Sequence, residues 1–253
     1  MSGATPQRPL GILSALAEEQ TGLIEQLQAP QCLHHAGRDY WQGQLQGQPV
    51  VLALSRIGKV AAATTAVALV ERFAVGALVF TGVAGGVGPG VRVGDVVLGR
   101  GYVQHDMDAS PLFPRYQIPL TGQTVFAADG PLADALAAAC AQALHGLQHQ
   151  GRSPQLHQGL IASGDCFVHG LDATRGIVDG LQALGHAVLA VEMEGAAVAQ
   201  VCHDYGLPFV AVRSISDRAD ASAPTDFAAF VREVASVYAR RIIDALVRAK
   251  AAA

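Results

Sequence analysis

The sequence predicts an α/β fold, a single domain in which a mixed central β-sheet is flanked by helices on both faces. Three observations lead to this prediction. Short apolar runs alternate along the chain with longer segments of helical periodicity. The 253 residues are 51% hydrophobic, which is enough to bury a sizeable core. No repeat, low-complexity linker or shift in composition marks a boundary, so residues 10–250 are predicted to form one domain after a flexible tail at residues 1–9.

The predicted strands are short runs that are either apolar throughout or alternate between apolar and polar residues. Glycine, proline or polar residues follow most of them and mark their ends. They comprise residues 10–13, 40–45, 49–54, 77–80, 93–98, 101–104, 155–162, 188–191 and 209–215.

The predicted helices carry apolar residues at every third or fourth position. One begins at Glu18 and Glu19, whose carboxylates suit the positive end of a helix dipole, and runs to Leu27. The others comprise residues 60–72, 129–147, 172–184, 195–205 and 226–248. Because strands and helices alternate, we expect a mixed, largely parallel sheet that is covered on both faces.

Residues 81–90, TGVAGGVGPG, follow the predicted strand at residues 77–80. We expect them to form a loop, because glycines allow positive φ angles and close approach of the backbone to a ligand. The segment is neither a GxGxxG fingerprint nor a phosphate-binding loop, since it lacks the sequence GK[ST]. By itself it is consistent with a plain turn as well as with a binding site.

Composition and charge exclude several classes of function. The formal net charge of −4 argues against a nucleic-acid-binding protein, and no run of about 18 apolar residues predicts a membrane span. The first ten residues lack the pattern of a secretory signal. The four cysteines are far apart and form no CxxC pair, as is typical of reduced thiols in a cytoplasmic protein.

Three adjacent polar residues, His105, Asp106 and Asp108, resemble metal ligands. No second cluster of His, Asp or Glu occurs elsewhere at ligand spacing. We therefore expect a loop with satisfied polar groups at these positions, and we predict neither a metal nor a cofactor.

Carboxylates occur where predicted strands end or predicted helices begin. The segment AVLAVEMEGAAVA, residues 187–199, passes from a buried strand into Glu192 and Glu194 and then into a helix. Glu19, Asp165 and Asp217 occupy similar positions. Taken singly, Glu194 is consistent with a helix cap, and Asp217 with a partner of Arg213 or Arg218. Strand ends meet at one edge of an α/β sheet, so together these residues suggest acid–base chemistry.

Seven segments of the chain stand in the order found in one known family. They are residues 11–19 (GILSALAEE), 57–60 (IGKV), 81–86 (TGVAGG), 93–95 (VGD), 163–167 (SGDCF), 191–194 (VEME) and 213–217 (RSISD). The sequence thereby resembles the 5′-methylthioadenosine/S-adenosylhomocysteine nucleosidases of the nucleoside phosphorylase superfamily, from about residue 10 to residue 247. The resemblance implies a three-layer fold of that superfamily, and hydrolysis of the N-glycosidic bond of 5′-substituted adenosines to adenine and a substituted ribose.

The resemblance also implies roles for four catalytic residues. Asp217 corresponds to the general acid that protonates N7 of adenine, because a neutral base leaves more easily than its anion. Glu19 corresponds to the residue that orients and deprotonates the attacking water. Glu194 corresponds to the acceptor of the two ribose hydroxyls, and Arg213 is expected to order the water and Glu194.

The same resemblance implies a set of substrate-binding residues. Met193 is expected beneath the sugar, Phe167 against the purine, and Phe227 as a cover over the site. The backbone of Val168 is expected to read the edge of the base, and residues 83–86 to lie along base and ribose. The implied set comprises Ile57, Val83, Ala84, Gly85, Phe167, Val168, Glu192, Met193 and Phe227.

Two features depart from the family pattern. Val83 stands where many members carry Ser or Thr, so that a hydroxyl contact is missing. The loop at residues 109–119, which in the family dimer reaches into the pocket of the neighbouring subunit, has its own sequence here. Leu112, Phe113 and Pro119 are the residues expected at that pocket. The resemblance thus implies a cytoplasmic homodimer active in methionine salvage, with a small nucleoside as its substrate and neither nucleic acid nor membrane as a partner.

Three alternatives remain open from the residues. A purine nucleoside phosphorylase of the same fold would use phosphate in place of water, although the glycine-rich segment carries no basic residue. Another nucleoside hydrolase, of the futalosine type, would share the catalytic residues and differ in its preference for base and 5′ group. A non-catalytic nucleoside sensor would retain the glycines but not need both Glu19 and Asp217.

Overall fold

A mixed β-sheet forms the centre of the computed structural model, which describes residues 7–251 with the side chain of Thr225 excepted. Its strands are β1 Leu10–Ser14, β2 Gln28–His35, β3 Arg38–Leu45, β4 Gln48–Leu54, β5 Ala77–Gly86, β6 Val96–Gln104, β7 Phe126–Ala127, β8 Leu156–Ser163, β9 Val188–Glu192 and β10 Phe209–Asp217. Its helices are α1 Ala17–Gln20, α2 Lys59–Glu71, α3 Gly130–Leu144, α4 Leu171–Gln182, α5 Gly195–Tyr205, α6 Ala223–Phe230 and α7 Ser236–Ala251.

Five strands of the sheet close into a ring. Strands β10, β6, β8, β9 and β5 pair in that order, and β5 pairs with β10 again. The other strands extend the sheet outward from the ring. Strand β1 pairs with β5, and β4, β3 and β2 follow in that order. The sheet is mixed, as predicted, but only five of its ten described pairings are parallel, because β2, β3 and β4 are joined by hairpins and β10 runs antiparallel to β6.

Alternate residues of the inner strands face two separate cores, which is the expected consequence of the two-residue period of a strand. In β1, Leu13 packs into the core that contains α2 and α5, whereas Ile12 packs into the core that contains α3 and α7. In β5, Phe80 packs into the core with α2 and α5, and Val79 packs into the core with α3 and α7. The helices therefore lie on both faces of the sheet, which confirms the predicted fold class.

Strand β5 changes its neighbour halfway along its length. Residues 77–80 pair with β1, and Gly85 and Gly86 then pair with β9, while the opposite edge of β5 stays paired with β10. Between Thr81 and Ala84 this edge carries no described strand partner. The sheet therefore splits at this stretch, and its exposed backbone groups must find other partners.

The structure differs from the sequence prediction in four strands. The two strands predicted at residues 93–98 and 101–104 form a single strand, β6, whose pairing with β8 is irregular between Gly99 and Gly101. Strand β7 was not predicted, because it has only two residues. Residues 81–86 continue β5 rather than forming a loop, because the pairing with β10 extends to Gly85. Strand β2 was not predicted, since its sequence QAPQCLHH lacks both an apolar run and a clean alternation. It is an exposed edge strand held by antiparallel pairing with β3, so its conformation depends on its neighbour and not on its own pattern.

Two predicted helices are interrupted. The segment that was expected to be helical from Glu18 to Leu27 forms the short helix α1 and then a 3₁₀ turn at Ile24–Gln26, because Gly22 between them adopts a φ of 86°. The closing segment divides into α6 and α7, with a wider helical turn at Val231–Ala235 between them.

Residues 1–6 of the predicted tail lie outside the described residues, and residues 7–9 belong to no helix or strand. No helix within residues 7–251 combines the length and the apolar composition that crossing a bilayer requires. Within the same residues, no group of three or more His, Cys, Asp or Glu side chains is arranged to hold a metal ion.

Candidate active site

A cavity of about 300 Å³ opens where β1 and β9 separate along β5. All thirteen residues that the sequence assigned to catalysis or substrate binding in this chain line it: Glu19, Ile57, Val83, Ala84, Gly85, Phe167, Val168, Glu192, Met193, Glu194, Arg213, Asp217 and Phe227. The first and the last of these residues, Glu19 and Phe227, are more than 200 positions apart in the chain. The structure thus brings the predicted set together, and the contacts below indicate what each group can do.

Glu19 is buried beside the split in the sheet. Its carboxylate accepts hydrogen bonds from the N–H groups of Ala15 and Leu16 at 2.8 and 2.9 Å and from that of Val83 at 3.1 Å. The N–H of Val83 lies on the free edge of β5, so Glu19 takes the place of a neighbouring strand. A Cβ at Gly82 would lie 3.1 Å from the carboxylate, which leaves room for little but glycine there. Burial raises the pKa of Glu19, although the three N–H groups and the Arg213 guanidinium favour the ionised form.

Glu192 and Arg213 form a buried ion pair at the floor of the cavity. Arg213 donates to one oxygen of Glu192 from Nη2 at 2.7 Å and from Nε at 3.2 Å, and its guanidinium lies 4.1 Å from the centroid of the Phe80 ring. The carboxylate of Glu192 also accepts from the N–H of Gly195, the first residue of α5, and from the hydroxyl of Ser163. Because both oxygens of Glu192 are hydrogen-bonded, the free-energy cost of burying the two charges is offset.

This geometry changes the expected partner of Arg213. The guanidinium was expected to order Glu194, but its described hydrogen bonds go to Glu192 and to the carbonyls of Phe80 and Val212. It does not pair with Asp217 either, whose described partners are the Ser216 hydroxyl and the N–H of Ala219. Glu192, which was assigned to substrate binding, has its hydrogen-bonding capacity occupied by the protein itself.

Glu194 has only one described partner for its carboxylate, the N–H of Gly58 at 2.8 Å. Gly58 precedes α2 with a φ of 98°, a conformation that side-chain-bearing residues rarely adopt, and this turn directs its N–H at Glu194. Burial, with a smaller contribution from neighbouring Glu192, raises the pKa of Glu194 to about 8. A buried carboxyl with free acceptor positions that faces a cavity is equipped to bind a hydroxyl-bearing ligand.

Asp217 ends β10 at the other end of the same stretch of β5. Its Oδ1 accepts from the N–H of Ala219 and its Oδ2 from the Ser216 hydroxyl, both at 2.8 Å. A Cβ at Gly85 would lie 2.9 Å from Oδ1, so the glycine permits the carboxyl to approach the strand. Burial raises the pKa of Asp217, although both hydrogen bonds act in the opposite direction, and the nearby charges of Asp226 and Asp220 raise it further.

Two aromatic side chains flank the mouth of the cavity. The rings of Phe167 and Phe227 meet edge to face with their centroids 5.6 Å apart. Phe167 follows β8 and Phe227 belongs to α6, so the pair connects two walls of the cavity. Phe167 is 41% exposed and Ile57 is 55% exposed, which leaves apolar surface available to a ligand at the opening.

The loop residues that were assigned to a neighbouring subunit do not line this cavity. Leu112 is 83% exposed, and Phe113 and Pro119 are half-buried. Other apolar residues of the same loop, Tyr116 and Ile118, are buried within this chain.

The expectation of satisfied polar groups at residues 105–108 is wrong for His105, whose buried Nε2 has no hydrogen-bond partner among the described residues. Asp165 and Asp106 form a structural network outside the cavity. Lys59 donates to Asp106 at 2.6 Å from Nζ, and its backbone N–H donates to Asp165 at 2.8 Å. The N–H of Asp165 donates in turn to Asp106 at 2.9 Å. These contacts fix the segment of Ile57 against that of Phe167, so this cluster supports the walls of the cavity rather than supplying a fourth reactive carboxylate.

Sequence reasoning missed six further lining residues, which are Ala15, Leu16, Phe80, Gly82, Cys166 and Val191. Most are neighbours of predicted residues, so adjacency alone could have suggested them. Phe80 is different. Its ring packs against the guanidinium of Arg213, which lies 133 positions further along the chain. No local pattern indicates such a pair.

Comparisons with known proteins show the family to which the chain belongs. Residues 9–248 match the family model described as the phosphorylase superfamily. The chain is 36% identical over 242 residues to the 5′-methylthioadenosine/S-adenosylhomocysteine nucleosidase of Chromohalobacter salexigens, an alignment that covers 95% of this chain and 97% of the relative.

Solved structures give the same result. The nucleosidase of that type from Neisseria meningitidis, in complex with methylthio-immucillin-A, matches with a TM-score of 0.86 and 34% identity, covering 96% of this chain and 99% of the other. The futalosine hydrolase of Helicobacter pylori matches with a TM-score of 0.84 and 32% identity, covering 96% and 98%. The chain therefore belongs to the phosphorylase superfamily, and within it to the family of the 5′-methylthioadenosine/S-adenosylhomocysteine nucleosidases.

Proposed function

We propose that this protein hydrolyses the N-glycosidic bond of 5′-substituted adenosines, such as 5′-methylthioadenosine and S-adenosylhomocysteine, and releases adenine and a 5′-substituted ribose. The observation that carries this proposal is the placement of two buried carboxyls along one stretch of β5. Glu19 lies against Gly82 and Val83, and Asp217 lies against Gly85. Three residues of a strand span about 10 Å, which leaves room between the two groups for a ribosyl bond and a water molecule.

The two carboxyls differ in the way that acid and base roles require. Asp217 receives one backbone N–H and lies near two further acids, so its environment favours the protonated form that can donate to N7 of the base. Burial raises the pKa of Glu19 as well, but three backbone N–H groups and Arg213 act in the opposite direction and favour the ionised form that a base acting on water needs.

Bond cleavage would proceed through a cationic ribosyl species. Protonation of N7 by Asp217 allows the base to leave as a neutral molecule, and positive charge develops at the sugar. The carboxylate of Glu19 lines the cavity in which that charge develops and would stabilise it electrostatically. Glu194, held by the N–H of Gly58, would bind the ribose hydroxyls, with Met193 against the sugar and Phe167 against the purine.

The charges of the cavity favour water over phosphate as the nucleophile. Among the described lining residues, four acids (Glu19, Glu192, Glu194 and Asp217) accompany one base, Arg213, whose guanidinium pairs with Glu192. Lys59, the first residue of α2, donates to Asp106 and Gln104 outside the cavity. A phosphate dianion would therefore meet no cation among the described lining residues that is not already paired, and its desolvation would cost free energy.

Adenine release from 5′-methylthioadenosine is therefore expected to proceed in a phosphate-free buffer and to be unchanged, or weakly inhibited, by added phosphate. The assay follows adenine by chromatography and identifies the sugar product by mass. A free 5′-methylthioribose supports hydrolysis. A sugar 1-phosphate, or a rate that depends on phosphate, would instead assign the protein to the phosphorylases.

A futalosine-type hydrolase is a second candidate, supported by the similarity to the Helicobacter pylori enzyme. Both activities need the same acid, base and ribose ligand, so the choice depends on the region around the 5′ end. Comparing kcat/KM for 5′-methylthioadenosine, S-adenosylhomocysteine and futalosine in one enzyme preparation distinguishes them.

We also infer that the protein acts as a cytoplasmic homodimer and that its reaction belongs to methionine salvage. The described cysteines are all free, and Cys32 and Cys166 are exposed, which suits a reducing compartment. Exposed apolar side chains are found near the cavity on α2 and on the loop at residues 109–119, including Val60 at 77% and Leu112 at 83%. A second copy of the chain would cover such surface.

Sedimentation equilibrium is expected to give twice the chain mass of 26.2 kDa. Leu112→Asp is expected to shift the protein toward monomer and to raise KM for 5′-methylthioadenosine. Leu184→Asp serves as the control, because Leu184 is also an exposed apolar residue, at 54%, and lies beyond α4 away from the cavity. A monomeric wild-type protein, or equal effects of both variants, would contradict this assignment.

A further inference from the structure

A threonine on α4, outside the cavity, is connected to the carboxyl of Asp217 through the backbone of one residue, Ala219. The hydroxyl of Thr174 donates to the carbonyl of Ala219 at 2.6 Å. The N–H of the same residue, Ala219, donates to Oδ1 of Asp217 at 2.8 Å. Thr174 does not line the cavity, and the sequence gives no reason to single it out.

The turn that makes this connection is unusual for its residue type. Ala219 is fully buried and has a φ of 52°, in the left-handed region that residues with a Cβ seldom occupy. Its Cβ packs within a cluster that includes Leu181 of α4 and Val191 of β9. The N–H of Ala219 donates to the carboxyl two residues earlier, so the orientation of that carboxyl depends on whatever holds Ala219 in place.

The carbonyl of Ala219 needs a donor because it is buried. Among the described residues the Thr174 hydroxyl is the one that reaches it. The same hydroxyl lies 3.1 Å from the carbonyl of Gly170, four residues earlier in α4, which is the ordinary contact of a threonine within its own helix. A hydroxyl has one proton to donate, and the shorter distance to Ala219 favours that acceptor.

We infer that Thr174 is a positioning residue for the general acid: by holding the Ala219 peptide in its left-handed turn, it fixes the orientation of the Asp217 carboxyl toward the cavity. The inference rests on the proposed function, in which Asp217 protonates the leaving base. It adds a residue on a different helix, which acts through the backbone and not by touching the substrate.

The test compares Thr174→Val, which keeps the shape of the side chain but removes the hydroxyl, with Thr174→Ser, which keeps the hydroxyl. Thr174→Val is expected to lower kcat about tenfold, a fraction of the 10²–10⁴-fold that a positioned acid contributes, and to change KM for 5′-methylthioadenosine little. Thr174→Ser is expected to retain wild-type kcat. Thr64→Val is the matched control, because the Thr64 hydroxyl contacts only the carbonyl of Val60 in its own helix.

The pH profile of kcat separates positioning from a loss of stability. Loosening the Ala219 N–H withdraws a donor from the ionised carboxyl, so the alkaline limb of Thr174→Val is expected to move to higher pH by about half a unit. The other charged groups that reach Asp217 are Asp220 and Asp226, and the substitution alters neither. The profiles of Thr174→Ser and Thr64→Val are expected to coincide with that of the wild type.

Two results would overturn the inference: wild-type kcat and pH profile in Thr174→Val, or the same losses in Thr64→Val. If Thr174→Val is too unstable to assay, increased hydrogen exchange of the Ala219 amide relative to Thr174→Ser, measured at low temperature, supports the inference, and equal exchange rejects it. The absence of nucleoside hydrolysis by the wild-type protein would reject the proposed function instead, so the two failures are distinguishable.

Discussion

Asp217→Asn is expected to lower kcat for adenine release by about 10²–10⁴-fold while leaving the affinity for a nucleoside near the wild-type value. The amide has almost the same shape as the carboxyl, and its oxygen can still accept from the N–H of Ala219. Its nitrogen can donate a hydrogen bond to the base but cannot transfer a proton. The Ser216 hydroxyl, which donates to Asp217, has a second acceptor 3.4 Å away in the carbonyl of Ala84.

The pH dependence of this variant follows from the raised pKa of Asp217. Burial raises that pKa, so the proton is retained to higher pH than on an exposed aspartate, and the active, protonated form is lost as pH rises through the pKa. In the wild type, kcat is therefore expected to fall on the alkaline side. In Asp217→Asn this limb should disappear from the residual activity, because no proton remains to be lost.

Asp134→Asn is a suitable control, since Asp134 is exposed and pairs with Arg100 far from the cavity. Measurements of kcat, of nucleoside affinity and of thermal stability are needed for both variants. An Asp217→Asn enzyme that turns over at the wild-type rate would rule out Asp217 as the proton donor.

Glu19→Gln is expected to reduce kcat by a similar factor, because an amide cannot accept a proton from water. Binding should be weakened less than turnover, since the glutamine oxygen can still accept from Ala15 and Leu16. The glutamine nitrogen then faces the N–H of Val83, which loses its acceptor at the free edge of β5. A modest loss of thermal stability is expected to accompany the loss of activity.

The pH dependence here has the opposite sign. Glu19 acts as a base only when ionised, so wild-type activity is expected to fall as pH decreases through its pKa, which burial places above the ordinary value of a glutamate. The acidic limb should be missing from the residual activity of Glu19→Gln. Glu18→Gln is the control, because Glu18 is the exposed neighbour in the same helix.

Equal losses of nucleoside affinity and of kcat in Glu19→Gln would indicate a folding defect in place of a lost base. Unchanged activity would exclude Glu19 from the reaction. Because the two variants remove opposite limbs of one pH profile, the pair also tests the assignment of acid and base against its reverse.

Apolar patterns allowed most of the central strands to be predicted, because burial on both faces of a sheet requires continuous runs such as those of β1, β9 and β10. The same reasoning failed for β2, whose residues are exposed and polar and whose strand conformation comes from pairing with β3. It also failed at residues 81–86, where glycines suggested a loop although this stretch pairs with strand β10 as far as Gly85.

The sequence by itself determined which residue types are available to the site and at which element ends they occur. Glu19, Glu194 and Asp217 were recognisable because each lies where a predicted strand ends or a predicted helix begins. These positions can be predicted from the local apolar periodicity, which is two residues in a strand and 3.6 in a helix. The order of the seven motif segments along the chain was enough to indicate the family.

Only the tertiary structure decided which of these groups meet and what each is bonded to. The pairing of Arg213 with Glu192, the single N–H on Glu194, the place of Glu19 at the free edge of β5 and the link from Thr174 to Asp217 all join residues far apart in the chain. They follow from the strand order and from the point at which β1 and β9 part from β5. Those features depend on long-range packing of the whole sheet, which no local periodicity records.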